Sequence, residues 1–306
     1  MKILRANHLG MCFGVRDAIA LAVRHSASQP ITVLGELVHN ETVLASLRAH
    51  GVRIADQPER VTTSTVMITA HGASERRMDE VRKRGLTVIE ATCPLVHYAH
   101  RAVSAFVATG YHPVIVGQRD HVEVRGMTED LEHYDVILQE SDIEEIEPHP
   151  KFGVAAQTTQ PSARVRHLVS LLQRRFPDSE VRFSDTVCQP TKQRQFAAVE
   201  LASECDVVVV VGGLKSNNTR ELVATCRLHC PLVHHVQSAT DLERNWFGSG
   251  EVVGITAGTS TPDDLIDEVE RCLREWASDD EAAPAAWEMP EIKTAVESRD
   301  ASLVAK

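Results

Sequence analysis

The 306-residue chain is 43% hydrophobic and 25% charged, ordinary proportions for a globular protein with a substantial buried core. Its formal net charge of −11 argues against a nonspecific nucleic-acid binder, which needs a basic footprint, and no apolar run approaches the roughly 18 residues of a membrane span. The opening MKILRANHLGMCFGV is neither a signal peptide nor a transit peptide, so a reducing, cytoplasmic setting is expected for its seven cysteines.

Along the chain, Val- and Ile-rich runs alternate with amphipathic ones. A strand-like KIL at residues 2–5 leads to Cys12 and the helical VRDAIALAVRHSA. ITVLGEL, TVMITAHG and LTVIEA then read as short buried strands, with HNETVLASLRAHG as a helix between the first two. Past Cys93, the helical LVHYAHRAVSAFVATG precedes HPVIVGQ, DVILQE and FGVAAQ. PSARVRHLVSLLQRRFP follows, then Cys188, TKQRQFAAVELASE and the strands DVVVVVGG and EVVGITAG. Helices closing at Gly51 and Gly110 carry the usual glycine stop. Such alternation predicts an α/β protein with parallel sheets covered by helices.

The pattern repeats three times. From Cys12, Cys93 and Cys188 the next strand-ending glycine, at Gly35, Gly117 and Gly212, lies 23, 24 and 24 residues on. A second strand then ends in a polar turn, at AHG around His71, QTT around Thr158 and GTSTP after Gly258. Three similar α/β units around a common axis are therefore expected: residues 13–96, 97–191, and 192–276 with 1–12 closing the ring. Residues 277–306, rich in Ala, Pro and acidic groups, read as a flexible tail.

Each repeat cysteine directly precedes a helical segment, where the partial positive charge of a helix N-terminus favours the thiolate that binds metal. Soft thiolates suit zinc or an iron–sulfur cluster, and three protein ligands leave a metal position open for a substrate. Cys205, Cys226, Cys230 and Cys272 have no counterpart in the other units and are read as small buried hydrophobes. The remaining strand-end loops hold His39 with Asn40, His71, His121, Thr158, Thr159, Ser216, Asn217, Asn218 and Ser260, with Glu123 as the one obvious carboxylate. Hydrogen-bond donors of this kind suit a phosphate or diphosphate, and the carboxylate suits proton delivery.

Together, GMCFGV, LVHNETV, TAHGAS, EATCPLV, VGQRDHVEVRG, AAQTTQ, the segment from Cys188 to residues 194–195, GGLKSNNTREL and ITAGTSTPDDL resemble the 4-hydroxy-3-methylbut-2-enyl diphosphate reductase family. The resemblance covers residues 1 to about 275. It implies a pseudo-threefold trefoil of three α/β domains around a [4Fe–4S] cluster held by Cys12, Cys93 and Cys188. It further implies reductive loss of the substrate's allylic hydroxyl, giving isopentenyl and dimethylallyl diphosphates, with reduced ferredoxin or flavodoxin as electron donor. Glu123 then matches the proton donor and Thr158 the threonine near the substrate hydroxyl. His39, His71, His121, Ser216, Asn217, Asn218 and Ser260 match the diphosphate-binding set, in which protonated imidazoles would help. Lys215, Asn217, Pro190 and Val122 depart from the common family pattern without removing a ligand or the acid. The competing readings are a three-cysteine zinc hydrolase acting on a phosphorylated small molecule and a noncatalytic iron–sulfur sensor.

Overall fold

The strands of this chain collect into three separate four-stranded parallel sheets rather than one continuous sheet. The computed structural model describes residues 1–282. The first stretch runs β1 (Lys2–Arg5), α1 (Phe13–Ser26), β2 (Ile31–Leu34), α2 (Glu41–Ala49), β3 (Arg53–Ala55), β4 (Thr65–Ile68), α3 (Glu75–Lys83) and β5 (Thr87–Glu90). After α4 (Pro94–Ala108) come β6 (His112–Val116), α5 (Val122–Thr128), β7 (Asp135–Ile137), α6 (Glu140–Glu144), β8 (Lys151–Ala156), α7 (Ser162–Arg175) and β9 (Glu180–Phe183). The last stretch is α8 (Gln189–Glu204), β10 (Val207–Val211), α9 (Asn217–Arg227), β11 (Leu232–Val236), β12 (Val252–Ala257) and α10 (Asp263–Ala282).

The sheet orders are β3-β2-β4-β5, β7-β6-β8-β9 and β11-β10-β12-β1, so one topology occurs three times. The N-terminal strand β1 occupies in the third sheet the edge that β5 and β9 occupy in the others, with Lys2–Arg5 in parallel register with Val252–Ile255. Inner strands are buried on both faces. In β10, Val207, Val209 and Val211 face one apolar cluster while Val208 and Val210 face another, which is why five consecutive valines fit one strand. The sequence did not single out β3, β9 or β11. These are edge strands with exposed or half-exposed residues, so their apolar signal is diluted by Arg53, Arg182, His234 and His235. Helix α10 extends to Ala282, past the end of the pattern expected near Trp276, and the rest of the expected acidic tail lies outside the described residues.

The repeat landmarks of the sequence are backbone landmarks too. Gly35, Gly117 and Gly212 each donate an N–H to the last carbonyl of the neighbouring edge strand: Ala55, Ile137 and Val236, at 2.7, 2.9 and 2.9 Å. Cys93, Cys188 and Cys12 each donate an N–H to a carbonyl two residues past the third strand of a sheet, at Ala70, Thr158 and Thr259, all at 3.0 Å. These bonds bring the cysteine loops to the carboxyl edges of all three sheets, where parallel α/β proteins assemble their sites.

Units also meet directly. A Cβ on Gly213 would lie 2.3 Å from the His39 carbonyl oxygen, so the loop after β10 can press against the loop after β2 only without a side chain. Gly213→Ala is therefore expected to destabilise the metal-free protein by about 1–3 kcal/mol through overpacking, read from the urea midpoint at unchanged m-value. An unaltered midpoint would show that these loops do not pack together.

Candidate active site

Cys12, Cys93 and Cys188 are the N-cap residues of α1, α4 and α8, yet no sulfur makes a capping bond. The helices begin there, and the Cys188 thiol donates instead to the Thr191 hydroxyl oxygen at 3.1 Å. All three thiols are free and partly buried. They converge: the charge of Cys12 is felt at both Cys93 and Cys188, and that of Glu123 reaches the same two thiols. Gly14 supports the approach, because a Cβ there would sit 2.5 Å from the Cys93 sulfur.

Burial pushes the Cys188 thiol up to about 11 and raises Cys93 as well, although Thr191 and backbone N–H groups pull the other way. The helix-end stabilisation of thiolate expected from the sequence is thus outweighed by lost hydration while the thiols are unbound. A bound cation would reverse that balance and release protons. Among the described residues, the ligand atoms of His39, His71 and His121 lie within 4.8 Å of one another, whereas the three sulfurs are not grouped that tightly. Three convergent thiols are soft ligands suited to a metal centre.

Arg194 completes this centre, and the sequence analysis did not assign it. The residue is 7% exposed, and its guanidinium donates to the carbonyls of Gly10 and Pro190 at 2.9 Å each. It thereby ties the loop before Cys12 to the helical turn after Cys188. Burial lowers its pKa, and the neighbouring charges opposing that shift are chiefly Cys12 and Cys188. The available signal was helical spacing, six residues past a repeat cysteine. The polar rarity of the position shows only once burial is known.

Glu123 lies in the first turn of α5, 1% exposed. Its carboxylate accepts the Thr158 backbone N–H at 2.6 Å on Oε1 and the Thr158 hydroxyl at 3.1 Å on Oε2. Desolvation raises its pKa to about 7 despite those two bonds, so it holds its proton far above the ordinary carboxylate range. Thr158 also supplies the carbonyl that accepts from Cys188, linking the acid to a sulfur loop through one residue.

His39 and His71 stack at 4.6 Å between ring centroids, and His121 meets both edge-on at 5.3 and 5.5 Å. Loss of hydration, then the charge of His39, drives His121 down to about 3 and His71 well below the usual imidazole range. With no anion beside them, His71 and His121 therefore favour the neutral form at neutral pH. Glu36, another residue not foreseen, takes the Nδ1 of His39 at 2.9 Å and the Lys215 ammonium at 3.4 Å, bridging loops of the first and third sheets. Burial alone would raise Glu36, but His39 and Lys215 hold its carboxyl below the ordinary range. The departure at Lys215 thus has a structural partner.

From the third sheet, Ser216 caps α9 by accepting the Thr219 N–H, and Asn218 Oδ1 accepts the Thr259 N–H at 2.9 Å. Asn217 Nδ2 donates to Thr159 Oγ1 at 2.9 Å. Thr159, of the QTT loop, lies three residues past its strand, as His71 and Ser260 do past theirs. Four buried atoms of this set have no hydrogen-bond partner: His71 Nε2, Asn217 Oδ1, Asn218 Nδ2 and Ser260 Oγ. Buried polar groups are seldom left so, and their concentration in one place marks a ligand site.

A family model described as "LytB protein" matches residues 3–274. A curated relative from Anaeromyxobacter sp., named 4-hydroxy-3-methylbut-2-enyl diphosphate reductase, is 38% identical over 278 residues, covering 90% of this chain and 97% of its own. One of the same name from Trichlorobacter lovleyi is 36% identical over 271 residues, covering 88% and 96%. Among solved structures, the E-1-hydroxy-2-methyl-but-2-enyl-4-diphosphate reductase from Plasmodium falciparum superposes with a TM-score of 0.84 at 26% identity, over 89% of this chain and 87% of that one.

Arg194→Met would strand the carbonyls it serves. The expected cost is about 1–3 kcal/mol in urea unfolding of the metal-free protein, since a buried acceptor left unpaired forfeits its solvation. A change within measurement error would remove Arg194 from the framework of the site.

Proposed function

The chain belongs to the LytB protein family, and from that membership we propose that this oxidoreductase converts 4-hydroxy-3-methylbut-2-enyl diphosphate to isopentenyl and dimethylallyl diphosphates. Per turnover the substrate takes up two electrons and two protons, loses its allylic hydroxyl and releases one water. This is the reductase step of the methylerythritol phosphate pathway. We assign a cytoplasmic location, ferredoxin or flavodoxin as reductant, and unit boundaries at 13–96, 97–191 and 192–276 with 1–12.

Cys12, Cys93 and Cys188 fit a [4Fe–4S] cluster: three convergent soft ligands with no fourth protein thiol among them in the described residues, beside the buried cation Arg194. When bound, the cluster supplies a Lewis-acidic iron lacking a protein ligand and the electrons for reduction. The residues around it supply the rest. Glu123 is the acid, with its Oε1 committed to the Thr158 N–H, so that the proton resides on Oε2 facing the Thr158 hydroxyl. Thr158 can accept that proton and pass its own to the substrate hydroxyl, converting a poor leaving group into water.

The diphosphate would lie among His39, His71, His121, Ser216, Asn217, Asn218 and Ser260. The observation carrying this reading is the set of four unpartnered buried atoms on His71, Asn217, Asn218 and Ser260. Ser260 and Asn218 offer donors directly. The Asn217 amide can turn, since the Thr159 hydroxyl can donate to its oxygen as well as accept from its nitrogen.

Two measurements test these roles. Glu123→Gln is expected to keep iron content and substrate affinity while turnover falls about 10²–10⁴-fold, and native kcat should decline as pH rises through about 7, where Glu123 loses its proton. Normal turnover in that variant would refute the acid assignment. Because His71 and His121 are neutral when the site is empty, a bound diphosphate should raise their pKa values and draw in protons. Calorimetry of an alkyl diphosphate in two buffers of different ionisation enthalpy should show proton uptake at pH 7 that shrinks in His121→Ala. Equal uptake in the variant would remove His121 from the diphosphate site.

A further inference from the structure

The two electrons must enter from outside, and the surface offers one groove suited to deliver them. It measures about 900 Å³ and lies among the start of α7, the outer face of α8 and the end of α9. Its apolar part includes Phe196, 66% exposed, and Leu228, 81% exposed, with Val199 between the helices. Large apolar side chains so open to water and gathered in one concavity mark an interaction surface. They do not belong to the core clusters beneath them.

The charge of the groove runs against that of the molecule. In a chain of net charge −11, its lining carries Arg164, Arg166 and Lys192 against the single acid Glu221. Glu221 is paired with Arg164 at 2.6 Å, and Lys192 reaches Asp185 at 2.9 Å. Arg166 is exposed and has no acidic partner among the described residues. An apolar centre with a cationic rim is complementary to an acidic protein.

The position relative to the sulfurs is the second argument. Helix α8 begins at its cap Cys188, and Gln189, Lys192, Gln193 and Phe196 of that helix all line the groove. Phe196 is eight residues from Cys188, about 12 Å along the helix axis. One wall is therefore covalently continuous with a proposed cluster ligand.

We propose that this groove is the docking site of a small acidic one-electron carrier protein, with Phe196 and Leu228 as apolar anchors and Arg166 as the steering charge. The proposal rests on the reductase reading. Each docking event oxidises one reduced carrier and passes one electron inward by way of α8, so two reduced carriers serve one turnover, and no bond is made or broken in the transfer.

The test uses the full-length holoenzyme prepared anaerobically, with an acidic plant-type ferredoxin as the probe. In Arg166→Glu/Phe196→Ala, both sites being exposed, the Kd for ferredoxin measured by calorimetry should rise about tenfold or more. Native binding should weaken with salt, and weaken less steeply in the variant. Ferredoxin-driven kcat/KM should fall in parallel, while turnover driven by reduced methyl viologen stays at the native rate. Unchanged ferredoxin affinity, or equal losses with both reductants, would overturn the docking site. So would a native chain that sediments as a dimer and becomes monomeric on Phe196→Ala, which would give the groove to a second copy. Failure of native enzyme to turn over with viologen would instead count against the reductase reading, leaving the binding measurement to judge the groove.

Discussion

The site depends on a single kind of backbone bond made three times. Each of Cys12, Cys93 and Cys188 gives its N–H to a carbonyl two residues beyond the third strand of a sheet. The bond holds the cysteine at the start of its helix and brings it to the carboxyl edge, where the polar loops also arrive. Because strand, loop and helix are joined at that point, the backbone of each cysteine is fixed to a sheet edge. The same joint carries the chemistry in the second unit: the acceptor there is Thr158, whose N–H and hydroxyl both hold Glu123.

Three sheets meeting at one centre create a dry interior, and the ionisation of the site follows from that dryness. Glu123 is raised to about 7, His121 and His71 are pushed toward the neutral form, and the thiols of Cys93 and Cys188 are raised. Every shift favours the uncharged form, with desolvation as the leading cause. Arg194 stands apart: it stays cationic at any physiological pH, is surrounded by carbonyls and adjoins two sulfurs. The cluster proposed for Cys12 and Cys188 would give that charge an anionic neighbour.

Much of this was legible in the sequence because repetition multiplies weak signals. One cysteine before a helix means little, but three in register with Gly35, Gly117 and Gly212 define the unit, and the structure gives those glycines equivalent bonds. What escaped was of two kinds. The edge strands β3, β9 and β11 are short or half exposed, so no apolar run announced them. Arg194 and Glu36 owe their roles to burial and to partners distant in sequence: Gly10 for Arg194 and Lys215 for Glu36. Periodicity reports which face of an element is apolar, but not which polar residue on that face will find itself enclosed.

The residues proposed to hold the diphosphate are imidazoles, hydroxyls and amides, and this choice suits a site that must also stand empty. Fixed cations packed as closely as His39, His71 and His121 would repel one another and cost several kcal/mol each to desolvate. Neutral rings avoid that cost until an anion arrives, and can then be charged by the anion itself through proton uptake. A ligand without the charge of a diphosphate would gain nothing from such rings, so selectivity and stability of the empty state come from one arrangement. The fixed charges stand farther out. Arg125 and Arg220 influence His121 through the field alone, and Lys215 is tied to Glu36 on the outer side of His39. They can attract a diphosphate toward the site without lying buried within it.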